Sequence, residues 1–381
     1  MSLPPDLSVL IKATSARCNL ACDYCFYYDR ASDPYQDVEK ALMPDDVLAA
    51  MVEQVTSASR NVASFCWQGG EPLLTGLDFF RQAVEYQKQF GRPGQSIANS
   101  IQTNGLLIDR DWVSFLLEYK VFVGLSLDGP AEIHDRHRFT LGNKPSHELV
   151  MKGLNLLKQE RVEFNILAVV SRESQSYARE TYRWFRSLGL EFLQFIPCIE
   201  LDPGSGLAPF SVTPKGYGRF LCDLFDEWYN DGYPVASIRL FEDILAAFSG
   251  ITPFTCEFRP SCGDYLVVEY NGDVYPCDFM VESEWLLGNI LETTLTEMSE
   301  SDRFNEFLKL KPRTPNTCAD CQWNFVCHNG CPRQRRMTSG FERESILCRA
   351  YKMLYEHSAD RFQRLADRLA GERQAQSAFR I

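Results

Sequence analysis

The sequence predicts an α/β fold built on a parallel sheet, followed by a smaller cysteine-rich region. From about residue 7 to residue 200, short runs rich in β-branched residues alternate with amphipathic helical stretches. Strand-then-helix repeats of this kind are typical of parallel sheets. Eight of the fourteen cysteines lie after residue 255, so the second region has a different cysteine content. Six strand-then-helix units allow either a doubly wound sheet or a partial barrel.

Six buried strands and four helices can be placed on the chain. The strands are predicted at 7–13, 62–68, 96–103, 121–127, 162–170 and 190–196. The helices are predicted at 44–55, 176–188, 214–230 and 238–249. Pro44 and acidic residues begin the first helix, and Gly189 ends the second. Residues 265–279 predict a β-hairpin, since Asn271 and Gly272 suit the positive φ angles of a type I′ turn.

Length, composition and charge exclude several classes of protein. The 381 residues, 45% of them hydrophobic, suffice for one large domain and a smaller one. The first twenty residues lack a basic start followed by an apolar run, and no uncharged apolar stretch approaches about eighteen residues. We therefore expect no signal peptide, no membrane partner and a cytoplasmic location. The net charge of −12 argues against a nucleic-acid partner.

Polar and glycine residues follow four of the predicted strands, at the point where each strand ends. They are Cys18 to Cys25 after the first strand, Gln68 to Pro72 after the second, Thr103 to Gly105 after the third, and Ser126 to Pro130 after the fourth. Because functional residues of parallel α/β sheets gather at the carboxyl ends of the strands, this rim is the predicted active site.

Three cysteines after the first strand form the pattern CxxxCxxC. Soft thiolates gathered at one point select iron–sulfur clusters or zinc over hard cations. Cys18, Cys22 and Cys25 are one ligand short of four, and an open coordination position lets a metal bind a small-molecule substrate or cofactor. The alternative is a structural zinc site that takes its fourth ligand from elsewhere in the chain.

The triad and the GGEP turn at 69–72 together resemble the signature of radical S-adenosylmethionine enzymes. In that family the open iron chelates the methionyl group, and reductive cleavage of the sulfonium yields a 5′-deoxyadenosyl radical. The resemblance implies a partial (β/α)6 barrel, with contacts to S-adenosylmethionine from Tyr24, Gly70, Glu71, Ser126, Arg138 and Ile199. Taken singly, Ser126 and Arg138 would be interpreted as a strand-end hydroxyl and a surface arginine. His134 and His137 are expected on a loop or helix surface.

The second cysteine region supplies eight cysteines, enough for two fully ligated four-cysteine clusters. Their spacing, with one glycine in register, resembles the SPASM extension of radical enzymes that modify peptides. The resemblance implies one auxiliary cluster held by Cys256, Cys262, Cys277 and Cys331, and another held by Cys318, Cys321, Cys327 and Cys348. The chain would then carry three [4Fe-4S] clusters. A pair of zinc ribbons is the alternative. Cys66, Cys198 and Cys222 remain as small core or strand residues.

At Cys277-Asp278 the resemblance narrows to the anaerobic sulfatase-maturating enzymes, which oxidise a Cys or Ser side chain in a sulfatase peptide to Cα-formylglycine. Stretches such as CDYCFYYD, QGGEPLLTGLDFF, GLSLDGP and YPCDF carry this similarity over most of the chain. Asp278 matches the general base of that family, and a carboxylate beside a partly buried cluster can accept a proton. By the same comparison Tyr27, Gln68 and Gln102 would contact the peptide.

The resemblance also fixes the expected organisation and partners. We expect a radical barrel at 1–235, a helical linker at 236–255, a SPASM domain at 256–350 and a C-terminal helix at 351–381. The expected partners are an unfolded or nascent sulfatase polypeptide and an electron donor such as flavodoxin or ferredoxin, with the protein itself a monomer.

Two other functions stay open at this point. One is a SPASM enzyme that cross-links or epimerises a peptide, which is disfavoured because the first strand begins within the first ten residues. We therefore expect no leader-binding domain ahead of that strand. The other is a non-catalytic iron–sulfur or zinc protein, which would not need an open-site cysteine triad or the Gly-Gly-Glu turn.

Overall fold

The computed structural model describes residues 6–27, 35, 42–202, 206–313, 315–338 and 340–378. In these ranges it forms twelve strands: β1 Ser8–Lys12, β2 Val62–Trp67, β3 Ser96–Thr103, β4 Phe122–Ser126, β5 Phe164–Val170, β6 Phe192–Pro197, β7 Leu201–Asp202, β8 Gly206–Leu207, β9 Ser237–Ile238, β10 Leu266–Glu269, β11 Asp273–Tyr275 and β12 Gly288–Asn289. The six strands predicted from the alternation are confirmed as β1 to β6, with ends that differ by at most two residues.

Fourteen α-helices lie in the same described ranges: α1 Asp45–Ala58, α2 Leu77–Phe90, α3 Arg110–Glu118, α4 Ala131–His134, α5 His147–Gln159, α6 Ala178–Ser187, α7 Pro214–Tyr229, α8 Arg239–Phe248, α9 Leu295–Glu300, α10 Asp302–Leu308, α11 Asn316–Ala319, α12 Asn324–Cys327, α13 Pro332–Arg336 and α14 Cys348–Ala378. The four predicted helices are confirmed as α1, α6, α7 and α8. Among the described residues, none of the helices combines the length and the apolar content that crossing a bilayer requires.

The chain divides into two compact units, each made of separate segments. The first unit comprises Met1–Leu127, His134–Phe164 and Gly263–Lys309. The second unit comprises Asp128–Ile133, Asn165–Cys262 and Leu310–Ile381. The hairpin β10–β11, which the sequence places in the cysteine-rich region, therefore packs with the N-terminal strands.

The first unit is organised around β1. This strand pairs in parallel with β2 on one side and with β10 on the other, and β2, β3 and β4 continue as parallel neighbours. Val9 and Ile11 on one face of β1 are fully buried, as expected for a strand covered by helices. The antiparallel strands β11 and β12 extend the sheet beyond β10. The sequence did not predict the β1–β10 pairing.

The predicted turn type of the β10–β11 hairpin is wrong. Three residues, 270–272, separate the two strands, and Gly272 donates its N–H to the carbonyl of Glu269 at 2.9 Å. Of the two residues expected at positive φ, only Gly272 has one, at 90°. This pattern is the three-residue hairpin loop with glycine in its last position rather than a two-residue type I′ turn.

The second unit contains the longest described helix, α14. Within it β5 pairs in parallel with β6, and β6 pairs in parallel with β9. Helix α14 packs against α7 and α8, where Phe225, Phe241 and Phe362 form an aromatic core. The loops that carry seven of the eight C-terminal cysteines also belong to this unit.

Candidate active site

A buried ion pair lies at the carboxyl end of β1. The Lys12 Nζ atom is 2.5 Å from an Oδ atom of Asp278, and both residues are buried, at 0% and 5% exposure. Lys12 is the last residue of β1, and Asp278 follows β11 by three residues. The sheet topology thus brings together two charged groups that are 266 residues apart in the chain.

Glu269 is the third member of this group, which we call the Lys12 cluster: Lys12, Asp278 and Glu269. Lys12 and Glu269 are paired residues in the parallel β1–β10 register, so their side chains leave the same face of the sheet. Glu269 is fully buried, and burial raises its pKa to about 8. The charge of Lys12 lowers this pKa and that of Asp278 raises it. Glu269 therefore retains its proton at neutral pH, and the cluster holds one cation against one anion.

The GGEP turn is shaped by packing against β1 and the cysteine loop. Gly69 has a φ of +118°, and a Cβ placed there would lie 2.3 Å from Cδ of Lys12. Gly70 has a φ of +49°, and its Cβ would lie 2.0 Å from the carbonyl oxygen of Arg17. Larger residues would displace the lysine stem or the backbone that leads into the triad. The two glycines thus allow Lys12 and the cysteine loop to occupy their positions.

Two predicted peptide-contacting glutamines lie on the same face of the sheet as Lys12. Cys66 pairs in register with Leu10 of β1 and with Ser100 of β3. Side chains two residues further along a strand leave the same face, which assigns Lys12, Gln68 and Gln102 to one face. Both glutamines are partly exposed. We call this surface the Lys12 face.

Aromatic rings border the Lys12 cluster. The Nζ atom of Lys12 is 4.5 Å from the ring centroid of Tyr27, a cation–π distance. Tyr27 is buried, at 6% exposure. The rings of Phe26 and Phe279 lie 5.1 Å apart and join the triad segment to the segment after Asp278. The predicted peptide-contacting Tyr27 therefore lies beside the ion pair.

The triad loop has the features that a thiolate ligand requires. The Cys18 Sγ atom accepts hydrogen bonds from the N–H of Leu20 at 3.4 Å and from Nδ2 of Asn104 at 3.7 Å. The N–H of Cys25 donates to the carbonyl of Cys22 at 3.1 Å, which folds the two cysteines into one turn. Burial, followed by the charge of Glu71 and then the charges of Cys22 and Cys25, raises the pKa of Cys18 to about 12, so the three thiols lie near one another.

The chemistry of this donor set suits an iron–sulfur cluster. Cys18, Cys22 and Cys25 are only partly buried, and the described N–H donors go to Cys18. Three thiolates in one loop would repel one another, so a positively charged group that accepts several thiolates would stabilise them. The loop of the triad therefore fits the predicted cluster.

Glu71 ties the GGEP turn to the turn after β3. Its carboxylate accepts hydrogen bonds from the hydroxyl of Thr103 at 2.8 Å and from the N–H groups of Asn104 and Leu73 at 2.8 and 3.1 Å. Burial raises the pKa of Glu71 to about 7. Asn104 also donates to Oδ1 of Asn19 at 2.7 Å, so this network supports the cysteine loop.

Two further predicted cofactor-contacting residues, Arg138 and Ser126, are buried, and one expectation fails. The Arg138 guanidinium carbon is 5.5 Å from the ring centroid of Tyr24, and Ser126 is buried at the end of β4. The prediction that His134 and His137 lie on the surface is wrong, since both are buried. His134 Nε2 is 3.1 Å from Oγ of Ser146, and His137 Nδ1 is 2.8 Å from an Oδ atom of Asp23. These contacts fix the loop in which Arg138 lies.

The second unit contains the remaining predicted site residues. Ile199 is buried after β6. The charges of Cys318, Cys321, Cys327 and Cys348 act on one another, with burial as the main cause of the raised pKa of Cys318, Cys327 and Cys348. This mutual influence agrees with one shared ligand set. Cys277 belongs to the first unit, where its Sγ atom lies 3.7 Å from the hydroxyl of Tyr265. Its inclusion with Cys256, Cys262 and Cys331 stays a prediction.

Sequence reasoning missed two members of the Lys12 cluster. Lys12 is the charged residue of the otherwise apolar run LSVLIKA, and Glu269 ends the apolar run LVVE. A charge inside a strand predicted to be buried needs a partner, and that requirement is the signal that could have identified both residues. Of the three residues predicted as small core or strand residues, Cys66 lies in β2, Cys198 is buried and Cys222 is half-buried on α7.

Comparisons with known proteins agree with this geometry. Residues 13–185 match the Radical SAM superfamily, and residues 256–322 match the SPASM iron–sulfur cluster-binding domain. The chain is 39% identical over 370 residues to the cysteine-type anaerobic sulfatase-maturating enzyme of Clostridium perfringens, covering 96% of this chain and 100% of that protein. It is 38% identical over 372 residues to the serine-type enzyme of Bacteroides thetaiotaomicron, covering 93% of this chain and 89% of that protein.

A solved structure also matches over almost the whole chain. Native anSMEcpe with bound AdoMet and Cp18Cys peptide has a TM-score of 0.89 and 38% sequence identity, covering 95% of this chain and 99% of that one. The predicted fold class, a radical S-adenosylmethionine barrel followed by a SPASM domain, is confirmed. The chain belongs to the anaerobic sulfatase-maturating enzymes, a family of radical S-adenosylmethionine oxidoreductases.

Proposed function

We propose that this enzyme oxidises the Cβ atom of a Cys or Ser residue in a sulfatase polypeptide, which yields Cα-formylglycine. The observation that carries the proposal is the Lys12–Asp278 ion pair, on the face of the sheet that also presents Gln68 and Gln102. A buried carboxylate next to a cluster-type cysteine is suited to accept the side-chain proton of a bound residue. The names of the similar enzymes, cysteine-type and serine-type, support both target residues.

The cofactors of this proposal are S-adenosylmethionine and three [4Fe-4S] clusters. Cys18, Cys22 and Cys25 would hold the first, and the eight C-terminal cysteines would hold the two auxiliary clusters in the sets given above. When bound, these groups supply the 5′-deoxyadenosyl radical that removes a hydrogen atom from Cβ and the acceptor for the electron that remains. AdoMet bound in the similar solved structure supports this assignment.

Asp278 takes the proton of the target thiol or hydroxyl in this scheme. The balance is one hydrogen atom lost from Cβ, one proton lost to Asp278 and one electron removed, which leaves a C=S or C=O double bond. Water then converts a thioaldehyde into the aldehyde. The ammonium group of Lys12 holds the Asp278 carboxylate in place and balances its charge. Tyr27 keeps water from the Lys12 cluster, because its ring covers the lysine.

By the family resemblance, S-adenosylmethionine would be contacted by Tyr24, Gly70, Glu71, Ser126, Arg138 and Ile199. The support is local: Gly70 and Glu71 belong to the turn that packs on the cysteine loop, and Arg138 is buried and stacks on Tyr24. The cationic guanidinium of Arg138 is chemically complementary to the methionyl carboxylate.

The remaining parts of the proposal concern partners. The polypeptide substrate would bind unfolded or nascent, since the target side chain must reach a buried carboxylate. A flavodoxin or ferredoxin would supply electrons to the triad cluster. The enzyme would act as a cytoplasmic monomer.

Anaerobic incubation with a sulfatase-type peptide, S-adenosylmethionine and a chemical reductant tests the proposal. Two peptides that differ only in the target residue, Cys or Ser, would be followed by mass spectrometry, with a target-to-Ala peptide as control. We expect an aldehyde at the target position of at least one peptide and none in the control. Intact peptides after full turnover of S-adenosylmethionine to 5′-deoxyadenosine would contradict the proposed substrate.

A further inference from the structure

Lys311 is a buried lysine between two cysteine-bearing segments of the second unit. Its side chain is fully buried. The Nζ atom donates hydrogen bonds to the carbonyl of Glu257 at 2.7 Å and to the carbonyl of Gly330 at 2.5 Å. Glu257 directly follows Cys256, and Gly330 directly precedes Cys331. One ammonium group thus joins the backbone at two predicted ligands of an auxiliary cluster.

The segment that carries Lys311 is itself fixed by a second buried cation. Arg335 is fully buried, and its guanidinium donates to the carbonyls of Leu310, Lys311 and Arg313. Arg335 follows Cys331 by four residues on α13. Two basic side chains are therefore held close to the cysteine-bearing segments by backbone carbonyls.

The ammonium group of Lys311 makes its hydrogen bonds to backbone carbonyls. Within the described part of the chain, both of its hydrogen bonds go to carbonyl oxygens, and no ion pair includes it. The carboxylate of Glu257 accepts hydrogen bonds from Gln334 at 2.8 Å and from the hydroxyl of Tyr351 at 2.7 Å, and the charge of Lys311 lowers the pKa of Glu257, which burial raises. Burial raises the pKa of the Cys327 and Cys331 thiols; the charge of Glu257 acts in the same direction and that of Lys311 in the opposite direction.

We propose that Lys311 raises the reduction potential of the auxiliary cluster that Cys331 holds, and so makes that cluster the acceptor for the electron removed from the substrate. The net charge around a cluster is one of the factors that set its potential. A cluster gains one negative charge on reduction, and a buried positive charge beside it stabilises the reduced form. The inference rests on the proposed function, because the auxiliary clusters are part of it.

Redox titration followed by electron paramagnetic resonance tests this role. The background is the full chain with Cys18, Cys22 and Cys25 replaced by Ala, which leaves only auxiliary signals. Lys311→Gln keeps N–H donors but removes the charge, Lys311→Arg keeps the charge, and Lys309→Gln removes a charge from an exposed position nearby. We expect the midpoint potential of the auxiliary cluster that Cys331 holds to shift to more negative values in Lys311→Gln. The same potential should stay unchanged in the other two variants.

The outcomes separate this inference from the function on which it rests. An unchanged potential in Lys311→Gln with full iron content would overturn the role of Lys311. Loss of auxiliary iron from Lys311→Gln would also overturn it, because Lys311 would then have a structural role only. Absence of auxiliary iron from the background protein itself would overturn the proposed function, and this inference with it.

Discussion

Each compact unit buries one lysine next to cysteines, and the two lysines have opposite surroundings. Lys12 in the first unit faces the carboxylate of Asp278 and the protonated carboxyl of Glu269. Lys311 in the second unit donates its described hydrogen bonds to backbone carbonyls. The charge of Lys12 is therefore paired directly with a carboxylate, whereas Lys311 forms no ion pair among the described residues. On the proposals made above, the same residue type would serve proton transfer in one unit and electron transfer in the other.

Removal of the cysteine triad should have the largest effect, and this effect should be confined to the first unit. We expect the variant with Cys18, Cys22 and Cys25 all replaced by Ala to form no 5′-deoxyadenosine, because the two auxiliary clusters would be fully ligated and would leave no open position for S-adenosylmethionine. The eight other ligands should retain about two thirds of the parent iron on the three-cluster proposal. Iron analysis and chromatography of the nucleoside products measure both quantities. Cleavage of S-adenosylmethionine by this variant would refute the assignment.

Asp278→Asn should separate radical formation from product formation. Asn keeps the shape of the side chain but cannot accept a proton, and a general base typically contributes a rate factor of about 10² to 10⁴. We expect the aldehyde to fall by about that factor while 5′-deoxyadenosine still forms. Glu284→Gln, at an exposed position six residues later, is the matched control. A parent-like rate of aldehyde formation in Asp278→Asn would leave the carboxylate with a structural role.

Lys12→Met should destabilise the enzyme because Asp278 would stay buried without its partner. Breaking a buried ion pair from one side costs about 3 to 5 kcal/mol. The exposed pair of Lys88 and Glu85, with side chains 56% and 62% exposed, provides the control, since Lys88→Met should cost at most about 1 kcal/mol. Urea unfolding of the reconstituted proteins measures both. The double variant with Asp278→Asn should recover part of the loss, and equal stability of the two lysine variants would refute the pairing.

Glu269→Gln should change how the stability of the folded protein depends on pH, and it should leave the stability at low pH nearly unchanged. The folded protein keeps this carboxyl protonated up to a pKa of about 8, whereas the unfolded chain loses the proton near 4.5. Stability of the parent should therefore fall as pH rises between these values, since the folded state binds more protons there. Thermal unfolding between pH 5 and pH 8 should show a shallower slope for Glu269→Gln than for the exposed control Glu85→Gln. Identical slopes would show that Glu269 ionises normally.

The sequence predicted the fold correctly wherever a local pattern determines the element. Alternation of apolar runs with amphipathic stretches identified β1 to β6, and turn residues placed the helix ends. The pairing of β1 with β10 was not accessible, because partners about 250 residues apart leave no local signal. The hairpin loop was predicted incorrectly because Asn271 and Gly272 are compatible with both a two-residue and a three-residue loop.

The sequence predicted the motifs of the candidate site but not the side chains that contact them. Spacing and strand ends identified the triad and the glycine turn, and the family resemblance identified Asp278. Lys12 was overlooked because a lysine at the end of a strand is usually exposed. His134 and His137 were assigned to the surface because their partners, Ser146 and Asp23, lie in other segments. Only the tertiary structure shows which polar groups meet.

The most direct test of the proposed reaction is to follow the hydrogen atom that leaves Cβ. A peptide with deuterium at Cβ of the target residue would be incubated anaerobically with the reconstituted enzyme and S-adenosylmethionine. We predict that deuterium appears in 5′-deoxyadenosine in step with the aldehyde in the peptide. Aldehyde formation with unlabelled 5′-deoxyadenosine would contradict the account.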